Sequence, residues 1–69
     1  MNDNVYAVSE VVGSSVKSVE DAIANAIATA SKTLRQLEWF EVTETRGHIV
    51  DGKVAHYQVG LKLGFRYER

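Results

Sequence analysis

Apolar positions along the chain fall into two periods. From Asn4 to Gly13 they alternate, with Val5, Ala7, Ser9 and Val11 on one side and Tyr6, Val8, Glu10 and Val12 on the other. This predicts a strand over 4–13 in which neither face is strongly polar, so both are expected to be covered. Gly13-Ser14-Ser15 breaks the pattern. The period then lengthens: Val19, Ile23, Ala26, Ala30, Leu34 and Leu37 recur at helical spacing, with Ala22 and Ile27 widening the stripe. An amphipathic helix is predicted over 18–37. Ser18 is a good N-cap, with Asp21 three residues on in a capping-box-like arrangement. Glu20 and Asp21 would sit at the positive end of the helix dipole, and Lys32 and Arg35 near the negative end. Alanines at 22, 24, 26, 28 and 30 make the helix slim enough to lie close on a sheet.

Two long strands are predicted over 38–50 and 53–66, joined through Val50-Asp51-Gly52-Lys53. Asp-Gly suits a type I′ turn, whose two central residues both need positive φ. With Val50 opposite Lys53, Trp39 falls opposite Gly64, Phe40 opposite Leu63, Glu41 opposite Lys62, Thr43 opposite Gly60, Thr45 opposite Gln58 and Arg46 opposite Tyr57. Phe40, Val42, Tyr57, Val59, Leu61, Leu63 and Phe65 then make an apolar face to receive the helix. Trp39, Glu41, Thr43, Thr45, His56, Gln58, Gly60, Lys62 and Gly64 make the other face. Glu41 and Lys62 form a favourable cross-strand pair. A bulge would flip part of this assignment, and Gly47 is the candidate position for one. The helix would cross over from the first strand with the right-handed sense usual for parallel neighbours.

Length and composition bound what this arrangement can be. Sixty-nine residues, 45% hydrophobic and 25% charged, make a single globular domain spanning 1–69. A chain this short buries only about 60% of its unfolded surface, so small domains add disulfides, metals or partner subunits. Cysteine is absent, and two histidines are too few for a protein-only metal cage. Oligomerisation is therefore expected, because one helix can cover only one face of a three-stranded sheet. The formal net charge is −1, with both signs interspersed, which argues against a nucleic-acid partner. No apolar run approaches a membrane span, and the start of the chain lacks the basic-then-apolar pattern of a signal peptide, so a cytoplasmic location is expected.

Candidate chemistry narrows to the uncovered face. Ser9, Ser14, Ser15, Ser18 and Ser31 have plainer roles in strand, loop, cap and helix, and no nucleophile–base pair has recognisable spacing. Glu38, Glu41 and Glu44 read as solvated or paired carboxylates rather than an acid–base couple. The predicted register puts His48 and His56 on opposite faces, which argues against a shared metal. Arg66 and Arg69 read as solvated, and no role follows for Lys32 or Arg35. The chain is not expected to be an enzyme. Trp39 stands apart: a large aromatic on the bare face, with Thr43, Thr45 and Gln58 on the same side and Gly60 and Gly64 nearby. Glycine in a strand lets a flat group approach the backbone, and a glutamine amide offers donors and an acceptor. Trp39 either plugs a subunit interface or carries a planar heteroaromatic ligand with an imide-like edge.

The stretches "VYAVSEVVGSS", "SVEDAIANAIATASKTLRQLEWFEV" and "TRGHIVDGKVAHYQVGLKLGFR" cover nearly the whole chain, and together they resemble the dodecins, small flavin-binding proteins. The resemblance implies an α+β fold of order β-α-β-β, with a mainly antiparallel three-stranded sheet wrapped around one helix. It implies a homododecamer with flavin sites at its subunit interfaces, storing FMN or riboflavin between tryptophans and quenching its photochemistry. Trp39 matches the stacking tryptophan, Gln58 the glutamine on the pyrimidine edge, and Arg46 an arginine near the flavin. Coenzyme A is a second ligand linked to bacterial members. A flavin-dependent redox enzyme and a purely structural oligomer are the alternatives.

Overall fold

The computed structural model describes residues 3–67. Strand β1 (Tyr6–Ser15) is followed by helix α1 (Val19–Ala30) and by the long strands β2 (Leu37–Val50) and β3 (Lys53–Arg66). The sheet order is β1-β3-β2, and both pairings are antiparallel. The crossover through α1 leaves β1 and β2 running the same way, as the connection rule suggests. β3 lies between them, however, so β1 has no parallel neighbour. The hairpin turn forms as predicted: Asp51 and Gly52 have φ of 53° and 76°, and Val50 pairs with Lys53.

Ser18 caps α1, its Oγ accepting from the Asp21 backbone N–H at 3.0 Å. The Asp21 carboxylate does not complete a capping box. It accepts instead from the Ser15 hydroxyl at 2.7 Å, and Ser15 Oγ in turn accepts from the Lys17 N–H at 2.9 Å. The helix entry is thereby tied to the end of β1. The helix is shorter than its apolar period implies, stopping at Ala30 rather than at 37. Ser31 turns its hydroxyl back onto the Ile27 carbonyl at 2.7 Å, and the N–H groups of Lys32 and Thr33 reach only three residues back. Gln36, at φ 59°, then redirects the chain into β2. Leu34 and Leu37 still pack against the core, but from the connection and the first residue of β2. Lys32 and Arg35 consequently lie beyond the helix.

Two irregularities reset the middle of the hairpin. Trp39–Val42 pair with Leu61–Gly64 as predicted, and so do Val50 and Lys53 at the tip. Between them, β2 carries an extra residue at Thr43, and β3 carries a compensating one at Ala55. Gly47 lies inside the shifted stretch and is not the site of the bulge. Within that stretch Glu44 faces Gly60, Thr45 faces Val59, Arg46 faces Gln58 and His48 faces His56. A one-residue shift exchanges the faces. Arg46 therefore leaves the helix side expected of it, Thr45 turns inward, and the two histidines stand directly opposite each other.

The core is small: Ala22, Ala26 and Ala30 of α1 sit against Val59, Leu61 and Leu63 of β3. The helix packs on β1 and β3 and leaves β2 nearly untouched. Phe40 and Val42, expected beneath it, are 47% and 42% exposed, and every residue from 38 to 55 is exposed. The accessible surface of 5082 Å² compares with about 4,300 Å² for a compact monomer of this mass. The radius of gyration of 14.4 Å compares with about 11 Å for a compact chain of this length.

Helix and sheet come closest at Gly13, where an added Cβ would lie 2.1 Å from the Ala22 carbonyl oxygen and 2.8 Å from Ala26 Cβ. We predict that Gly13→Ala lowers stability by on the order of 2 kcal/mol, since the obstruction is backbone that cannot rotate away. Urea unfolding checks this, and an unchanged midpoint would show that the helix is free to lift.

Candidate functional site

The sheet face turned away from α1 is laid out in rows. Val8, Gly64 and Trp39 form one row, Glu10, Lys62 and Glu41 the next, and Ser14, Gln58 and Arg46 a third. At the base of the hairpin the indole of Trp39 lies on the glycine opposite it. A Cβ at Gly64 would be 2.0 Å from Trp39 Cε2 and 2.2 Å from Cζ2. The ring occupies the space any other residue at 64 would fill, and its other side is open, with Trp39 41% exposed. Tyr6 of β1 braces it, the ring centroids 6.3 Å apart and the planes inclined by 59°. The Tyr6 hydroxyl donates to Glu38 Oε1 at 3.0 Å, and Arg66 pairs with Glu38 Oε2 at 2.6 Å. Three strands thus fix the edge of the platform. Arg66 is paired rather than simply solvated; Arg69 lies outside the described residues.

Further along the same face, Arg46 donates through Nη1 to Gln58 Oε1 at 3.3 Å and pairs through Nη2 with the Glu44 carboxylate. The bulge at Thr43 makes this possible, because it turns Arg46 outward. Gln58 accepts with its oxygen, which orients the amide and leaves its N–H groups for another acceptor. Arg46 and Gln58 are therefore brought together. Trp39 is not beside them. Gly64 and Gln58 are six residues apart on one strand, roughly 20 Å at ordinary strand rise. That exceeds the length of a three-ring ligand, so within one chain the backbone does not set the indole and the carboxamide side by side.

Sequence reasoning placed Trp39 and Gln58 on the correct face. It missed the brace of Tyr6, Glu38 and Arg66, which depends on β1 pairing with β3, and the contact of Arg46 with Gln58, which depends on the bulge. Among the described residues no three His, Asp or Glu side chains are grouped to hold a metal, and no helix is long and apolar enough to cross a membrane.

A three-stranded antiparallel sheet half covered by one helix, with an indole laid on a glycine of its open face, defines a small β-α-β-β protein with one face of its sheet left bare. Residues 5–68 match the model of the Dodecin family, and the chain belongs to that family. It is 53% identical over 64 residues to the dodecin of Thermus thermophilus, covering 93% of each chain. Its fold superimposes on the structure of dodecin from Streptomyces coelicolor with a TM-score of 0.93 at 59% identity, covering 100% of this chain and 99% of that one. Dodecin from Streptomyces davaonensis gives 0.92 at 47% identity, covering 99% and 100%.

The seating of the indole on Gly64 yields a prediction that needs no ligand. Trp39 is the sole tryptophan, so its fluorescence reports this position alone. Gly64→Ala is expected to evict the ring and shift its emission, while far-UV circular dichroism stays unchanged. An unaltered emission spectrum would mean that the ring does not rest on the glycine in solution.

Proposed function

We propose that this chain binds a flavin, FMN or riboflavin, on the open sheet face at a seam between copies of itself, and that it stores the cofactor rather than turning it over. The observation that carries the reading is Trp39, an indole held on Gly64, braced on one edge by Tyr6 and free on its outer side. The residues suit the group. An isoalloxazine is flat, as the exposed indole surface is, and aromatic stacking contributes about 0.5–1.5 kcal/mol beyond area burial. Its pyrimidine edge alternates acceptors and a donor, which an amide held like that of Gln58 can meet. Arg46 supplies a cation next to that amide. When bound, the flavin supplies absorbance, fluorescence and redox chemistry, and an adjacent indole quenches its excited state by electron transfer.

The roughly 20 Å of strand between Gly64, under the indole, and Gln58 makes the assembly part of the site. The indole of one copy and the carboxamide of another would hold one flavin. This accounts for a sheet whose hairpin is bare on both sides: the outer side meets the ligand and a neighbouring copy, and the inner side, with Phe40 and Val42, meets other copies. The dodecameric state that the resemblance implies is the assembly we propose.

Flavin added to the apoprotein at micromolar concentration is expected to lose its fluorescence as it binds, and unquenched flavin would count against the proposal. Trp39→Ala and Gln58→Leu should each weaken binding, by about tenfold or more for the indole. Assemblies refolded from a mixture of the two variants should regain a fraction of the sites, because some pairs then join an intact Trp39 to an intact Gln58. A single-chain site predicts no recovery.

A further inference from the structure

His48 and His56 belong to no part of the site described above. The two bulges place them directly opposite each other on the outer face, their ring centroids 4.3 Å apart and their planes within 20°. β1 ends at Ser15, which pairs with Tyr57, so only its last two residues, followed by Val16, come near His56. His48 is exposed and His56 partly buried. The charge nearest on the same face is Arg46, whose guanidinium is already engaged by the Glu44 carboxylate and Gln58. Beyond the histidines toward the turn lie Ile49 and Val54, both exposed and apolar.

We propose that His48 and His56 form a cross-strand chelate for a divalent transition-metal ion of the copper, nickel or zinc class. Neutral imidazole is a ligand these ions favour. An ion bound at 2.0–2.1 Å needs its two ring nitrogens about 3.3 Å apart in tetrahedral geometry, and about 2.9 Å apart at the right angle that nickel and copper favour. The rings, with centres 4.3 Å apart, are near enough to share an ion once each imidazole turns about its side-chain torsions, out of the stack, so that its in-plane lone pair points at the metal. Because no third protein ligand is grouped with them among the described residues, the ion keeps water in its other positions and exchanges readily. Holding one residue from each strand, the ion would clip β2 to β3 in the part of the hairpin farthest from the helix.

Titration of the full chain with nickel chloride, followed by calorimetry, tests this. One nickel per chain is expected. His48→Asn and His56→Asn should each weaken binding by roughly tenfold or more, since the second ligand's effective concentration is lost, while Lys32→Gln leaves it unchanged. Nickel should also raise the thermal midpoint of the parent and of neither histidine variant. Equal binding by the parent and either histidine variant, or no binding at millimolar nickel, overturns the proposal. Because neither histidine is assigned to the flavin, a failed flavin titration leaves this result standing, and the reverse holds too.

Discussion

A mismatch of lengths governs this molecule. α1 has twelve residues and spans about 18 Å, whereas β2 and β3 have fourteen residues each and extend roughly 46 Å. One helix cannot cover such a hairpin, and its slim alanine face settles on β1 and β3, where Gly13 admits it. Everything beyond that footprint is left in water, including Phe40, Val42, Ile49, Val50 and Val54. Monomeric proteins rarely leave such a connected apolar surface uncovered. The excess area is thus a consequence of the fold and not a defect of one region.

Much of this was legible in the residues. Period 3.6 from Val19 and period 2 on either side of Asp51-Gly52 gave the element order, and the turn fixed the pairing at the tip and, correctly, at Trp39. The end of the helix was not legible, because Leu34 and Leu37 keep the helical period while serving the core from a connection. The bulges were hidden for a different reason. An extra residue at Thr43 is offset by another at Ala55, so Trp39–Val42 and the tip both agree with a regular ladder while the stretch between them departs from it; a further shift at Glu38 displaces only Leu37. Nothing in the apolar pattern there objects: Thr45 and Gly47 are tolerable on either side.

That hidden shift matters for chemistry. It moves Arg46 outward to hold Gln58, and it brings His48 onto His56. In a regular ladder the carboxamide would face Thr45, and no cation would stand beside it. Bulges tend to occur where a side chain must be re-aimed, and here one residue of slack re-aims two pairs at once. In the proposed reading the irregular stretch supplies the carboxamide and its cation, and the stretch from Trp39 to Val42 supplies the platform.

The distance from Trp39 to Gln58 then ties ligand to assembly. A ligand held by groups on separate copies binds only the associated state, and by mass action it stabilises that state by RT ln(1 + [L]/Kd) for each site. The bare hairpin supplies association through apolar burial, and the flavin adds to it at the seams, so in this reading cofactor and quaternary structure reinforce each other. A storage protein gains from that arrangement. Loaded sites would hold the assembly together, and the assembly would keep the stacked ring against the indole and away from solvent. On that reading the small core built by Ala22, Ala26 and Ala30 need not carry the whole stability, because contacts between chains would add to it.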